Sequence, residues 1–260
     1  MERGFESEWR ARFDRFAARG GSDALISGWS EHGLQRRLAL LVPEVLRLDY
    51  PKGSKVLDLG CGSGIYLRHL EEHGYAPFGA DYALGMVRRA KENCAAAVER
   101  GAIRLLAADV YALPFRDAVF PVLINVGVLQ HLADERTALV SMARTVVPGG
   151  RLLVDTLNRF SLHAAAALAR DVVRAWLKGR LWPKRHAVRR RPTRLAAVGA
   201  SLGLVAERVK GIYILPRLLR FLEPVLDALD RVRWPFSLCP VLLPFANTFL
   251  IIFRKESTPR

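Results

Sequence analysis

The middle of the chain alternates short, nearly continuous apolar runs with longer amphipathic segments. Continuous apolar runs of this length are typical of strands that are buried on both faces of a sheet. The predicted strands are 55–59, 76–80, 103–108, 119–124 and 151–154. The segments between them that suit helices are 64–73, 83–99 and 134–147, the last capped by Asp134. This order predicts right-handed βαβ units, and therefore a mostly parallel sheet between two helical layers.

Both flanks of this region extend the pattern. Residues 1–50 carry two amphipathic stretches and predict an N-terminal helical lid, and the breaker cluster at 50–53 separates it from the main domain at 51–260. A helix at 193–202, capped by Thr193, and strands at 204–209 and 248–253 bring the predicted sheet to seven strands. Two inserts interrupt the alternation: an amphipathic one at 157–192 and a leucine-rich lid at 211–246.

Charge singles out the first of these inserts. The chain carries a formal net charge of +15, and the window 159–194 holds eleven Arg or Lys against one acid, Asp171. Such a block points to an acidic partner, namely anionic lipid head groups, nucleic acid or a phosphorylated substrate. A general bias toward arginine explains Arg over Lys, but it does not explain the missing acids.

Composition narrows the class of protein. With 51% hydrophobic and 25% charged residues, the chain can bury a sizeable core and is not disordered. Its three cysteines are too far apart for a disulfide framework or a zinc site, so no metal site is predicted. The acidic start does not read as a secretory signal, and Pro235, Pro240 and Pro244 interrupt the most apolar stretch. These features predict a reducing, cytoplasmic location.

The candidate chemistry begins at residues 56–64, Val-Leu-Asp-Leu-Gly-Cys-Gly-Ser-Gly. A strand runs into glycines 60, 62 and 64, and a helix follows at once. Glycine lets backbone N–H groups approach a bound cofactor closely, because no Cβ stands in the way. Two further acids follow predicted strands, Asp81 in Gly-Ala-Asp-Tyr and Asp109 in Ala-Ala-Asp-Val.

In the order and spacing of these motifs the chain resembles the class I S-adenosylmethionine-dependent methyltransferases, particularly their small-molecule branch. The match also includes Val-Leu-Gln-His-Leu at 128–132 and Val-Pro-Gly-Gly-Arg-Leu at 147–152. The resemblance implies a doubly wound α/β fold with a mostly parallel, seven-stranded, Rossmann-like sheet, N-terminal helices and helical lid inserts. It also implies S-adenosylmethionine as cofactor and S-adenosylhomocysteine as product.

The resemblance assigns roles to particular residues. Asp58 is placed to accept a hydrogen bond from the cofactor's ammonium, Asp81 from its ribose hydroxyls, and Asp109 from its adenine amino group. The full set of predicted cofactor-binding residues is Asp58, Gly60, Cys61, Gly62, Gly64, Asp81, Tyr82, Met86, Asp109, Val110 and Asn125. A nicotinamide dehydrogenase is disfavoured, because Ile65 stands where the third glycine of its fingerprint would be.

Methyl transfer from a sulfonium depends mainly on alignment, and a general base is needed only where the acceptor carries a proton. The candidate base is His131, and a purely structural histidine is the competing interpretation. Trp29, His163 and Tyr213 are the candidate substrate contacts. The inserts predict either a lid that docks on an anionic membrane and admits a lipophilic quinone, isoprenoid or lipid, or a closed apolar pocket for a soluble metabolite.

Two other functions stay open at this stage. The basic block alone supports a nucleic-acid methyltransferase, although its arginines are not interleaved with aromatic residues and no RNA-binding module is present. A non-catalytic cofactor-binding module is the other alternative, and the presence of all three acids, Asp58, Asp81 and Asp109, argues against it.

Overall fold

A computed structural model describes residues 2–19, 21–27, 29–177, 187–212, 221–222, 224–225 and 246–257. Within them, seven strands form one sheet in the order β3-β2-β1-β4-β5-β7-β6. The strands are β1 Lys55–Leu59, β2 Ala76–Asp81, β3 Arg104–Ala107, β4 Phe120–Asn125, β5 Val146–Leu157, β6 Leu204–Ile212 and β7 Thr248–Lys255. The first five pair in parallel, and β7 runs antiparallel to both β5 and β6. The predicted doubly wound, mostly parallel seven-stranded sheet is confirmed.

Helices cover both faces of the sheet, as the continuous apolar strands required. On one face Leu57, Leu123 and Phe253 pack with α7 (Glu135–Thr145) and α9 (Pro192–Ala200). On the other face Val56 and Ile124 pack with α3 (Glu31–Leu46) and α4 (Ile65–Glu72). Consecutive strand residues point to opposite faces, so both sets of side chains leave water and stabilise the sheet.

Local details follow from residue type. Asp134 caps α7 as predicted, because its carboxylate accepts the backbone N–H groups of Arg136 and Thr137. The predicted cap at Thr193 was wrong: α9 begins at Pro192, whose missing N–H and restricted φ suit the first position of a helix. The predicted helix 83–99 is two helices, α5 (Leu84–Asn93) and α6 (Ala95–Glu99), which meet at Cys94.

The N-terminal helices take different places. Helix α3 contributes Leu34, Leu41 and Val45 to the apolar layer against the sheet. Helix α1 (Glu2–Arg19) and the short α2 (Asp23–Ile26) lie instead at the end of the sheet where β1 and β2 finish. Residues 1–50 therefore supply both part of the core and part of the cover over that edge.

The structure describes most of the basic insert and little of the leucine-rich insert. In the basic insert, α8 (Leu162–Leu177) leaves large apolar side chains exposed, among them Leu162, Leu168, Val172, Val173 and Trp176. Most of the leucine-rich insert at 211–246 lies outside the described residues. Across the part of the chain that the structure describes, none of the helices combines the length and the apolar character that a membrane crossing requires.

Candidate active site

A cavity opens at the carboxyl ends of β1, β2 and β4, which is where open α/β sheets hold their ligands. Its walls come from the loops after these strands, from the loop after β3, and from the N-terminal helices. The lining residues are Glu6, Trp9, Arg10, Phe13, Ser27, Trp29, Leu59, Gly60, Cys61, Gly62, Ile65, Tyr66, Asp81, Tyr82, Ala83, Met86, Ala108, Asp109, Val110, Tyr111, Val126, Gly127, Val128, His131 and Leu132.

The glycine loop after β1 needs glycine for two different reasons. All three glycines have positive φ, which L side chains rarely adopt. At Gly60 a Cβ would meet Cγ2 of Val128 at 2.0 Å, so this glycine lets the loops after β1 and β4 touch. At Gly62 a Cβ would meet nothing within 4 Å, and the residue lines the cavity. Gly62 therefore leaves open space at the cavity wall, whereas Gly64 faces Cys94 and does not line the cavity.

Asp81 joins the glycine loop after β1 to the loop after β2. Its Oδ2 accepts the N–H of Gly62 at 3.0 Å, and its Oδ1 accepts the N–H of Ala83 at 2.9 Å. Burial raises the pKa of Asp81 to about 6, although these backbone N–H groups act to lower it. A carboxylate with this pKa, set in a cavity wall, is a ready acceptor of hydrogen bonds from a ligand's hydroxyl groups.

Two predicted residues lie beneath the cavity and do not line it. Asp58 is buried at the end of β1, and its Oδ2 has no hydrogen-bond partner among the described residues. Burial, together with the negative charge of Asp81, raises the pKa of Asp58 to about 8. Asn125 donates a hydrogen bond to the carbonyl of Leu59 at 2.8 Å and so joins β4 to β1. Both side chains support the loop from below.

The other predicted cofactor residues, apart from Gly64, line the cavity. Met86 and Val110 are both buried, and both give the cavity an apolar surface. Tyr82 is 40% exposed, and the guanidinium of Arg10 lies 4.6 Å from its ring centroid. Asp109 accepts the backbone N–H of Tyr111 at 2.9 Å, which sets the turn after β3. With Cys61 in the loop after β1, these residues form one continuous wall.

His131 lies in the opposite wall, beneath helix α1. Its ring centroid is 3.9 Å from that of Trp9 and 5.3 Å from that of Phe13. Burial lowers the pKa of His131 to about 3, and the positive charge of Arg12 acts in the same direction. Its Nδ1 has no hydrogen-bond partner among the described residues. At neutral pH the imidazole is therefore uncharged and keeps one ring nitrogen available.

Helix α1 supplies wall residues that the sequence did not identify: Glu6, Trp9, Arg10 and Phe13. Two carboxylates of this helix anchor it to the rest of the chain. Oε1 of Glu6 accepts the hydroxyl of Tyr111 at 2.5 Å, and Oδ1 of Asp14 accepts the N–H of Gly85 at 2.8 Å, which satisfies the start of α5. The amphipathic pattern of residues 1–50 indicated helices, but not what the aromatic side chains of α1 cover.

Trp29 forms the end wall next to β4, and a buried charge pair supports it. Gly127 has no Cβ, and one there would lie 2.5 Å from Cζ2 of Trp29. The guanidinium of Arg37 lies over the Trp29 ring, 4.4 Å from its centroid, and Nε of Arg37 lies 3.7 Å from Oδ2 of Asp155. Asp155 in turn accepts the N–H of Gly127 at 2.6 Å. Arg37 stands within the apolar stripe of α3, which is a signal that sequence reasoning could have used.

The structure does not test the two remaining substrate candidates. His163 belongs to α8, and its side chain lies outside the described part of the chain. Tyr213 lies outside the described residues. The structure thus groups Trp29 and His131 with the cofactor candidates and leaves the roles of His163 and Tyr213 as predictions.

Comparison with known proteins identifies relatives of this arrangement. A family model described as "Methyltransferase domain" matches residues 57–154. A "Ubiquinone biosynthesis O-methyltransferase" of Xylella fastidiosa is 32% identical over 213 residues, covering 78% of this chain and 81% of that protein. A "Demethylmenaquinone methyltransferase" of Corynebacterium urealyticum is 38% identical over 109 residues, covering 42% of this chain and 44% of that protein.

A solved structure shares the fold. Magnesium protoporphyrin IX methyltransferase from Synechocystis PCC 6803, with bound SAH, superposes with a TM-score of 0.64 at 16% identity. The match covers 97% of this chain and 96% of that chain. At this identity the likeness concerns the fold, and it extends over nearly the whole of both molecules.

Proposed function

Since this chain belongs to the class I S-adenosylmethionine-dependent methyltransferases, we propose that its methyl acceptor is a small, lipophilic aromatic molecule of the quinone-precursor type. The observation that carries this proposal is the aromatic lining of the cavity, where the rings of Trp9 and Phe13 lie against His131 and Trp29 forms the end wall next to β4. Flat aromatic walls favour a planar apolar ligand. One relative is named for ubiquinone biosynthesis and the other for demethylmenaquinone, which supports the same class of acceptor.

The cavity suits S-adenosylmethionine on grounds internal to the structure. Among the described residues, no atom lies within 4 Å of where a Cβ at Gly62 would project, and Oδ2 of Asp58 is buried without a hydrogen-bond partner. Burial and the charge of Asp81 raise the pKa of Asp58 to about 8, so its ionised form is disfavoured and a cationic ligand nearby would stabilise it. Asp81 and Asp109 would hold the hydroxyl and amino groups of the nucleoside, and Met86 and Val110 its apolar ring. When bound, the cofactor supplies an electrophilic methyl group on a sulfonium.

The protein's own contribution is to position the acceptor and exclude water. Helix α1 lies over the cavity, and the bonds from Glu6 to Tyr111 and from Asp14 to Gly85 hold it there. Holding an acceptor in line with the reacting group can lower the barrier by several kcal/mol without a strong base. A helix held over the bound acceptor therefore supplies most of the alignment and exclusion of water that the reaction needs.

His131 acts as an orienting group in this proposal. Its pKa of about 3 makes it a weak base, so it is poorly suited to take up and store a proton at neutral pH. The amide nitrogen of Gln130 lies 3.2 Å from Nε2 of His131, so Nε2 is the accepting nitrogen and the uncharged imidazole carries its proton on Nδ1, which can donate a hydrogen bond to an oxygen of the methyl acceptor. The side chain would thereby hold the hydroxyl oxygen toward the reacting methyl group.

The test measures S-adenosylhomocysteine release with a panel of short-chain quinols and prenylated catechols. We expect turnover by the wild type and a fall in kcat of about 100-fold for His131→Ala, because the acceptor is no longer oriented, with unchanged S-adenosylhomocysteine binding. The matched control is His69→Ala on α4, outside the cavity, which should retain full activity. Turnover of tRNA but of no quinol or catechol would contradict the acceptor class, and wild-type kcat in His131→Ala would remove the histidine from the mechanism.

We further propose that the basic insert makes peripheral contact with an anionic membrane, from which a lipophilic acceptor can be drawn. Helix α8 exposes Val173 and, to 76%, Trp176, and the window around it carries a net charge of +10. An exposed apolar face within a basic segment is typical of helices that lie in a membrane interface.

Vesicle sedimentation tests this contact. The wild type should sediment with phosphatidylglycerol vesicles and not with phosphatidylcholine vesicles, and salt should weaken binding. The paired substitutions Val173→Asp and Trp176→Asp should reduce binding by at least about tenfold, because two exposed apolar side chains contribute more than 1.4 kcal/mol. The control Val140→Asp changes an equally exposed valine on α7 and should bind normally. Failure of the wild type to bind at low salt would refute the membrane contact.

A further inference from the structure

The turn that carries His131 is held by a distant segment of the chain. Within the turn, the N–H of His131 donates to the carbonyl of Val128 at 2.7 Å. Three carbonyls of this turn, those of Leu129, Gln130 and Leu132, accept hydrogen bonds from residues 188–190. The N–H of Val188 donates to the carbonyl of Gln130 at 2.8 Å, and the Arg190 guanidinium reaches the carbonyls of Leu129 and Leu132.

Arg190 is the centre of this arrangement. The residue is 3% exposed, and its Nη1 and Nη2 donate to the carbonyls of Leu129 at 2.5 Å and Leu132 at 2.8 Å, one on each side of His131. Its Nε donates to Oε2 of Glu135 at 2.5 Å. The rigid planar fork of arginine can reach two carbonyls and a carboxylate at once, which a lysine cannot do.

The backbone of Arg190 is fixed as firmly as its side chain. Its N–H donates to the carbonyl of Leu157 at 2.9 Å, and its carbonyl accepts the N–H of Arg159, also at 2.9 Å. A parallel bridge to Asn158 completes the attachment to the end of β5. Arg190 therefore joins the place where the basic insert leaves the sheet, the place where it returns, and the turn in the cavity wall.

We propose that Arg190 is a positioning residue for His131: by holding the carbonyls on either side of the histidine, it sets where the imidazole stands in the cavity. The consequence for activity rests on the proposed function of the cavity, but the positioning itself does not. Loss of the guanidinium would remove the side-chain donor of the Leu132 carbonyl and leave the Leu129 carbonyl with the N–H of Leu132 at 3.2 Å, and the turn would relax away from the rings of Trp9 and Phe13.

The first test reads the position of the imidazole directly. The His131 ring lies against that of Trp9, so ring currents should displace its proton resonances from those of the other histidines. The chain has six histidines, and His131→Gln assigns the resonance by its disappearance. In Arg190→Gln the resonance should move at least half of the way to the exposed-histidine position. In Arg194→Gln it should stay, because Arg194 also pairs with Glu135, at 2.8 Å, but is exposed and does not reach the turn.

Arg190→Lys is a second variant, included in case Arg190→Gln does not fold. Lysine keeps the charge beside Glu135 but reaches fewer partners, so the resonance should again move while circular dichroism shows a folded chain. An unmoved resonance in either folded Arg190 variant overturns the proposal. If neither variant folds, Arg190 belongs to the stability of the fold and the proposal is likewise overturned.

The second test separates positioning from binding. With a quinol or catechol that the wild type methylates, Arg190→Gln should lower kcat about tenfold and leave the KM for S-adenosylmethionine within about twofold, because a misplaced orienting group costs rate and not cofactor affinity. Equal kcat for Arg190→Gln and Arg194→Gln would contradict the proposal. If the wild type methylates none of these acceptors, the proposed function fails, and the resonance experiment still decides the role of Arg190.

Discussion

The Asp81→Asn variant is expected to bind S-adenosylhomocysteine about 100-fold more weakly than the wild type. The substitution keeps the shape of the side chain but turns one acceptor oxygen into a donor, which then faces the N–H of Gly62 or of Ala83. It also removes the charge that strengthens hydrogen bonds from the ligand's hydroxyl groups, each of which contributes about 1.5–3 kcal/mol. Isothermal titration calorimetry measures the affinity.

The pH dependence of binding provides an independent check. Burial raises the pKa of Asp81 to about 6, and the ionised form is the one that accepts hydrogen bonds from hydroxyls. As the pH falls through 6, the protonated fraction grows, so affinity in the wild type should fall by up to tenfold per pH unit. The asparagine variant lacks this ionisation and should lose the part of the pH dependence that Asp81 provides.

Asp134→Asn is the matched control for this position. Asp134 also accepts two backbone N–H groups, those of Arg136 and Thr137, but it caps α7 outside the cavity. Asparagine is an equally good helix cap, so both stability and S-adenosylhomocysteine affinity should remain near those of the wild type. Similar affinities for Asp81→Asn and Asp134→Asn would show that Asp81 does not hold the cofactor.

The second large effect is expected at Arg37, in α3, where Arg37→Met should lower the free energy of unfolding by about 3–5 kcal/mol. The guanidinium is buried, donates to the carbonyl of Gly33 and the hydroxyl of Thr248 at 3.3 Å each, and lies 3.7 Å from a carboxylate oxygen of Asp155. Methionine fills similar space but leaves the Asp155 carboxylate buried without its cation. Urea denaturation followed by circular dichroism measures the loss.

The sign of the pH effect distinguishes this cause from lost packing. Burial raises the pKa of Asp155, and Arg37 acts to lower it, so the pKa rises further in the variant. The folded variant then binds more protons than the unfolded chain, and it gains stability as the pH falls through that raised pKa. The deficit of Arg37→Met relative to the wild type should therefore be smaller at pH 5 than at pH 8.

Two companion variants complete this experiment. Adding Asp155→Asn to Arg37→Met should recover part of the loss, because it removes the unpaired charge. Arg100→Met breaks an exposed pair with Glu71, at 2.6 Å, and should cost no more than about 1 kcal/mol. Equal losses at Arg37 and Arg100 would show that the buried pair carries no special weight.

The local pattern predicted the framework of the site because its requirements are local. The loop after β1 needs glycine because its backbone has positive φ at both Gly60 and Gly62. In addition, Gly60 leaves room for the side chain of Val128, and Gly62 leaves open space at the cavity wall. The resemblance to the methyltransferases implied that Asp81 and Asp109 bind the cofactor, and both line the cavity because an acid directly after a parallel strand lies at the carboxyl edge of the sheet. Asp58 and Asn125 were identified with them, but the structure places both beneath the cavity rather than in its wall.

Other parts of the site could not be read from the pattern because their contacts join distant segments. The aromatic face of α1 could equally have packed against the core, since helical spacing specifies a face and not its partner. Arg190 reaches Leu129 across 61 positions, and Arg37 reaches Thr248 across 211. The position of a charged residue in a basic block or in an apolar stripe does not indicate which carbonyl or carboxylate it will contact in the folded chain.

By itself the sequence determined the sheet, the glycine loop and the acids at the strand ends, because backbone conformation and side-chain periodicity constrain each of these over a few residues. Only the tertiary structure decided that helix α1 roofs the cavity, that His131 stands uncharged against Trp9, and that Arg190 and Arg37 support its walls. These features depend on burial and on long-range pairing, which exist only once the chain has folded.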